Sequence, residues 1–283
     1  GGNMPTGGAM PNGGVMPVLN DYKAPNVNDY KAPNVNDYKP PIGGVAALPT
    51  NQISALKPNE ISALTPNQMA AFDQSQMRQI APTAVATLKA DQIQAMAPQA
   101  MAGMTADQIK NLDPKAVTGI GAQQFNQLPP EAMKAMNAQQ IQNLSSQAFA
   151  GMTNQQMAAL APTAMKVLDA KDLNAMAPQA MAGLSSKQIT AIDPKAIKGL
   201  GAKQIEAIPA STISAMTSTQ LKSLTPEAIS GMTKDQLAVI KPTQASSLSV
   251  EQLKALTKEQ VQALPATLIK SLSAKQKAAL AMP

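Results

Sequence analysis

Along residues 41–280, large apolar residues recur at alternating spacings of three and five, and the pattern repeats every eight residues without an insertion. Cut from Pro41, the segment gives thirty octads, from PIGGVAAL to SAKQKAAL. Position eight is Leu, Met, Ile or Phe in every octad. Position five is a large apolar residue in all but two, where Ala245 and Lys277 stand. One continuous helix cannot carry this stripe, because eight residues at about 100° each rotate it by roughly 80° per octad. A strand cannot either, since spacings of three and five miss the two-residue period and β-branched residues are few. The pattern predicts one short helix per octad.

The polar positions supply the start signals. In TADQIKNL, Thr105 is an N-cap, Gln108 completes a capping box, and Met104 and Ile109 form a hydrophobic staple. Ser185 and Gln188, Thr217 and Gln220, Thr233 and Gln236, and Thr257 and Gln260 repeat the arrangement. All sixteen prolines between residues 41 and 280 occupy position one or two, where a missing N–H is harmless and the fixed φ starts a helix.

From residue 81 the octads alternate between a Pro type such as APQAMAGM, with Ala at position four, and a Gln type such as TADQIKNL. The expected fold is all-α: an α-solenoid of short capped helices, one per 8 residues, paired into 16-residue αα repeats. Gly103, Gly119, Gly151, Gly183, Gly199 and Gly231 fall at position seven of the Pro type, which predicts either a close backbone approach or a left-handed residue. APTAVATL at 81 returns as APTAMKVL at 161, and DPKAVTGI at 113 as DPKAIKGL at 193, the mark of an 80-residue duplication. Stacked as two-helix layers about 8–10 Å apart, fifteen pairs would reach on the order of 150 Å. Lys277, at a core position of the last octad, fits a terminal cap.

Residues 1–40 differ in kind. Met-Pro steps at Met4, Met10 and Met16 are followed by NDYKAPNV at residue 20, again at 28, and begun once more at 36. The reading is three segments: an extended arm rich in Gly, Pro and Asn over 1–40, an octapeptide solenoid over 41–280, and a tail over 281–283. All three tyrosines lie in the arm, and Tyr22, Tyr30 and Tyr38, with Pro25 and Pro33, are the candidate self-assembly residues. Their eight-residue spacing suits docking on successive grooves of a neighbouring copy.

Candidate chemistry is sparse. Cys, His and Trp are absent, so no disulfide or His-dependent catalysis is expected. Fourteen of the eighteen methionines, with Phe72, Phe125 and Phe149, sit at core positions and read as packing. Met4, Met10 and Met16 lie outside the core, but one ligand type at six-residue spacing is a weak soft-metal pattern. Asp107, Asp113, Asp169, Asp172, Asp193 and Glu206 mostly occupy caps and first turns, where the helix dipole favours negative charge. The expectation is therefore no enzyme, and no catalytic, cofactor-binding or metal site. The charge of +6 comes from scattered lysines and a single Arg, Arg78, so no nucleic-acid partner is expected, and no apolar run is long enough for membrane insertion.

The octads TADQIKNL, TNQQMAAL, TKEQVQAL and SVEQLKAL resemble Leu-Thr-x-x-Gln-Ile-x-Ala-Leu tracts of large repetitive bacterial surface and adhesin-like proteins. The resemblance covers nearly all of residues 41–280 and implies an extracellular, cell-surface or periplasmic location in a bacterium. The expected role is a structural repeat protein: subunit or rigid spacer of an extracellular filament, sheath or surface layer. Its partners would be copies of itself in a homo-polymer or homo-oligomer, with other surface proteins as further candidates. The alternative is an α-solenoid scaffold that holds a peptide or protein in its groove.

Overall fold

The computed structural model describes residues 48–280, and every element among them is a helix of four to seven residues. The octad is the structural unit: one helix, then a corner. Gln-type helices mostly run six residues, as in Ala106–Asn111 and Ala138–Asn143. Pro-type helices are often four, as in Pro98–Met101 and Pro178–Met181. Two Pro-type octads tighten further into 3-10 helices, Ala116–Gly119 and Ser146–Gly151.

The six-residue helices are flanked at both corners by extended residues. In the Ala106–Asn111 octad the residue closing the helix, Leu112, has φ −64° and ψ 130°, and the opening residue, Thr105, has φ −90° and ψ 163°. This geometry explains the proline positions. A proline at position two forces the residue before it into the extended region, and the corner requires that conformation there. Pro82, Pro98, Pro162 and Pro178 each follow an extended or near-extended Ala.

The expected capping boxes form. Thr105 Oγ1 accepts from the N–H of Gln108 at 3.2 Å, and Gln108 Oε1 accepts from the N–H of Thr105 at 2.8 Å. The same reciprocal pair closes at Ser185, Thr217, Thr233 and Thr257. Positions five and eight build the core; Ile109, Phe125, Met133 and Phe149 are all fully buried. The rings of Phe125 and Phe149 meet edge to face at 5.8 Å and 63°.

The helices do not stack as two-helix layers. The extensive helix–helix contacts join each helix to the third one along the chain, as Ala122–Gln127 joins Ser146–Gly151 and Pro178–Met181 joins Ala202–Ala207. Hydrogen bonds between turns link residues 25 to 31 positions apart. One turn of the solenoid therefore takes about 28 residues, or three and a half octads. The sixteen-residue alternation persists as alternating helix type, while the packing partner lies on the next turn. With turns about 9 Å apart, residues 48–280 span on the order of 75 Å, about half the length that two-helix layers would give.

Candidate functional site

What recurs on every turn is a buried glutamine with three hydrogen bonds. A short helix leaves orphan N–H groups at its start and orphan C=O groups at its end. Position-four Gln of the Gln-type helix serves opposite ends of two different helices, the start of its own and the close of the one a turn below. Gln140, fully buried, accepts from the N–H of Asn137 at 3.0 Å and so caps its own helix. Its Nε2 donates to the carbonyls of Ile109 and Leu112, both at 2.7 Å, which close the helix one turn below.

The same offsets of 31 and 28 residues recur for Gln92, Gln108, Gln124, Gln140, Gln156, Gln188, Gln204, Gln220, Gln236 and Gln252, with distances between 2.6 and 2.9 Å. The chemistry needs an amide: one acceptor for the cap and two donors for the turn below. Where Gly121 or Gly201 removes the Ser/Thr half of the capping box, the Gln half remains at 2.9 and 2.8 Å. Sequence reading found Gln only as a cap. Its second role pairs residues 28 and 31 positions away, a separation that no local signal marks.

Asp172 interrupts the ladder. A carboxylate has no donor and is one methylene shorter; it caps Asp169 at 3.0 Å and accepts from Ser146 Oγ at 2.7 Å. In the octad at 209–216, Thr212 stands where most Pro-type octads have Ala, and its Oγ1 donates to the carbonyl of Leu184, 28 residues back, at 2.7 Å.

Position seven controls how closely turns approach. A Cβ on Gly151 would sit 1.8 Å from the carbonyl oxygen of Ala122, and one on Gly183 would sit 1.9 Å from that of Asn154. These glycines are required by backbone approach; Gly231 has φ −80°, an ordinary right-handed value. Thr87 and Ser247, at the same position in other Pro-type octads, donate their hydroxyls to the carbonyls of Pro58 and Ser218 instead.

The remaining polar groups are on the surface. Among the described residues one ion pair forms, Lys134 to Glu131 at 3.2 Å, and it is exposed. The carboxyls of Glu251 and Glu259 are held below their ordinary range, first by their own backbone N–H groups at the helix start and then by the hydroxyls of Ser249 and Thr257. Among the described residues no cluster of three or more His, Cys, Asp or Glu could hold a metal ion, and no helix is long and apolar enough to cross a membrane. An open depression of about 500 Å³ lies beside Gln94, Thr118, Gly121 and Gln147.

Tyr22, Tyr30, Tyr38, Pro25 and Pro33 lie outside the described residues, as do Met4, Met10 and Met16. No family model matches the chain. No curated protein matches it either.

Proposed function

We propose that this protein is a structural repeat protein, the subunit or rigid spacer of an extracellular filament, sheath or surface layer, whose N-terminal arm docks on neighbouring copies. The observation that carries this reading is the glutamine ladder. Ten buried amides tie successive turns with the same three bonds, so the array's most regular chemistry is spent on holding its own turns together. Such repetition suits a part whose work is to span distance at fixed geometry. The octapeptide resemblance supports a location outside a bacterial cell.

The test is electron microscopy of the purified chain beside a version lacking residues 1–40. Ordered fibres or sheets from the intact chain, lost on removing the arm, are the expected result. Fibres that form equally well without the arm would remove its assigned role. The alternative, a scaffold that holds a peptide or protein in its groove, is favoured by the depression beside Gln94 and Gln147. It predicts a monodisperse chain that captures one defined partner and forms no ordered assembly.

A further inference from the structure

Along the sequence the lysines look scattered, but the turn length gives them an order. Position six of the octad carries Arg78, Lys110, Lys134, Lys166, Lys198, Lys222 and Lys254, at successive intervals of 32, 24, 32, 32, 24 and 32 residues. Each interval is three or four octads, and the turn is three and a half. Each step misses a whole turn by half an octad, about 50° around the array, and steps of both signs largely cancel, so about one exposed cation falls on each turn within a sector of about 100° on one side. On the opposite side, position six holds neutral residues such as Gln94, Thr118, Asn126, Asn174 and Ser230, together with Glu206. Lys270, only 16 residues after Lys254, lies off the row.

Acidic neighbours weaken the row in places. Glu131 pairs with Lys134, and Asp107 and Glu251 stand three residues before Lys110 and Lys254. Asp193 shares an octad with Lys198, offset there by Lys195; its side chain accepts from the Lys195 backbone N–H. Asp73 opens the octad of Arg78, where it accepts from the backbone N–H of Gln76, and no acid stands on the octads of Lys166 or Lys222.

We propose that this row binds a linear carboxylated polysaccharide, one with a single carboxylate per disaccharide, laid along the array. Three features select that chemistry. Along the array axis the cations advance by about one turn, roughly 9 Å, each, whereas phosphates along a nucleic-acid strand follow at about 3.4 Å and would mostly go unmatched. The aromatic rings of the described residues, Phe72, Phe125 and Phe149, are buried, so none is free to stack a base. Exposed Ser75, Asn111, Thr163 and Thr219 sit on the octads of Arg78, Lys110, Lys166 and Lys222 and can hydrogen-bond sugar hydroxyls. Binding uses the outer side of a single array and does not depend on self-assembly, so it can fail or hold independently of the filament reading.

The test uses the intact chain, dispersed, with labelled hyaluronate as the probe and fluorescence anisotropy as the readout. Inorganic polyphosphate and a single-stranded oligonucleotide of equal charge serve as competitors. Two triple variants carry the same net charge, K166Q/K198Q/K222Q on the row and K89Q/K171Q/K203Q off it. Circular dichroism confirms that each is folded. Hyaluronate should bind with an affinity that falls as salt rises, and the row variant should lose about tenfold or more while flattening the salt dependence. The off-row variant should change affinity less than about threefold. Equal loss in both variants would show that net charge alone attracts the polymer and would overturn the proposal. So would tighter binding of polyphosphate or the oligonucleotide, or no binding of hyaluronate by the unmodified chain.

Discussion

A buried side chain with every hydrogen bond satisfied is costly to replace, and the cost depends on which partners are stranded. Gln140→Leu keeps the volume but removes one acceptor and two donors at a fully buried site, leaving the N–H of Asn137 and the carbonyls of Ile109 and Leu112 without that amide. Each stranded group costs about 1–3 kcal/mol, but partial relaxation offsets some of this, so a loss of about 2–4 kcal/mol in urea unfolding is expected. Gln140→Glu keeps the cap but turns a carboxylate oxygen toward two carbonyl oxygens. It should be at least as destabilising at neutral pH, and stability should rise on acidification as the buried carboxyl takes up a proton and can donate one bond. A Glu variant that is most stable at neutral pH would contradict the donor assignment. Glycine gives a second residue-scale contrast. Gly151→Ala places a Cβ 1.8 Å from the Ala122 oxygen and should cost about 2–4 kcal/mol, whereas a Cβ on Gly121 meets nothing closer than Gln124 Oε1 at 3.7 Å. Gly121→Ala should stay within about 0.5 kcal/mol, so equal effects at the two positions would refute the close-approach account.

For the helices, the alternation of types is a packing rule that can be tested by deletion. Gly151 in a Pro-type octad lies against Ala122 in the Gln-type octad three back. Removing residues 137–144 leaves 129–136 followed directly by 145–152, two Pro-type octads in a row. Three octads after 121–128 then comes 153–160, so Ala159 arrives where only glycine fits against the Ala122 carbonyl. Removing residues 137–152 instead keeps the alternation, and each later Gln still meets a Gln-type helix four octads back. The eight-residue deletion should therefore have the lower urea midpoint although it loses half as much chain. If midpoints simply follow length, the pairing rule is wrong. Much of this scale was legible beforehand. Caps at Thr105 and Ser185 and prolines at positions one and two are local signals with local causes, while glycine at position seven is visible in the octad but is required by the backbone of the neighbouring turn, 29 residues away at Gly151 and Ala122. The shortening of Pro-type helices to four residues, and to a 3-10 turn at Ala116–Gly119, was not marked in the pattern, because the apolar positions are identical in both octad types.

Over the whole array, what the sequence left unread is the length of a turn. Octads and sixteen-residue pairs suggest layers of two, but a turn of three and a half octads is not a whole multiple of either period. It is set by how far a Gln amide reaches and how closely Gly lets backbones approach, which no single octad records. For the same reason the lysines at position six looked unordered until the turn was known. Because each turn contacts only the turns beside it, stability should vary along the array rather than belong to one core. Middle octads are bonded from both sides: in the octad 105–112, Gln108 donates down to the carbonyl of Ile80 and the carbonyl of Leu112 accepts from Gln140 on the turn above. Toward residue 280 the contacts thin out. Val261 and Ile269, at position five, are only half-buried, and Lys277 at the same position is exposed, whereas Ile141 and Met133 are buried. Native-state hydrogen exchange should then show its slowest amides between about residues 105 and 225, with protection falling by stages through the octads after 249. The backbone N–H of Asn137, held by a fully buried Gln140, should exchange more slowly than that of Ser273, whose partner Gln276 is near the end of the array. Uniform protection from residue 50 to 280 would mean that the turns unfold as one unit, and the nearest-neighbour account of this array would have to be given up.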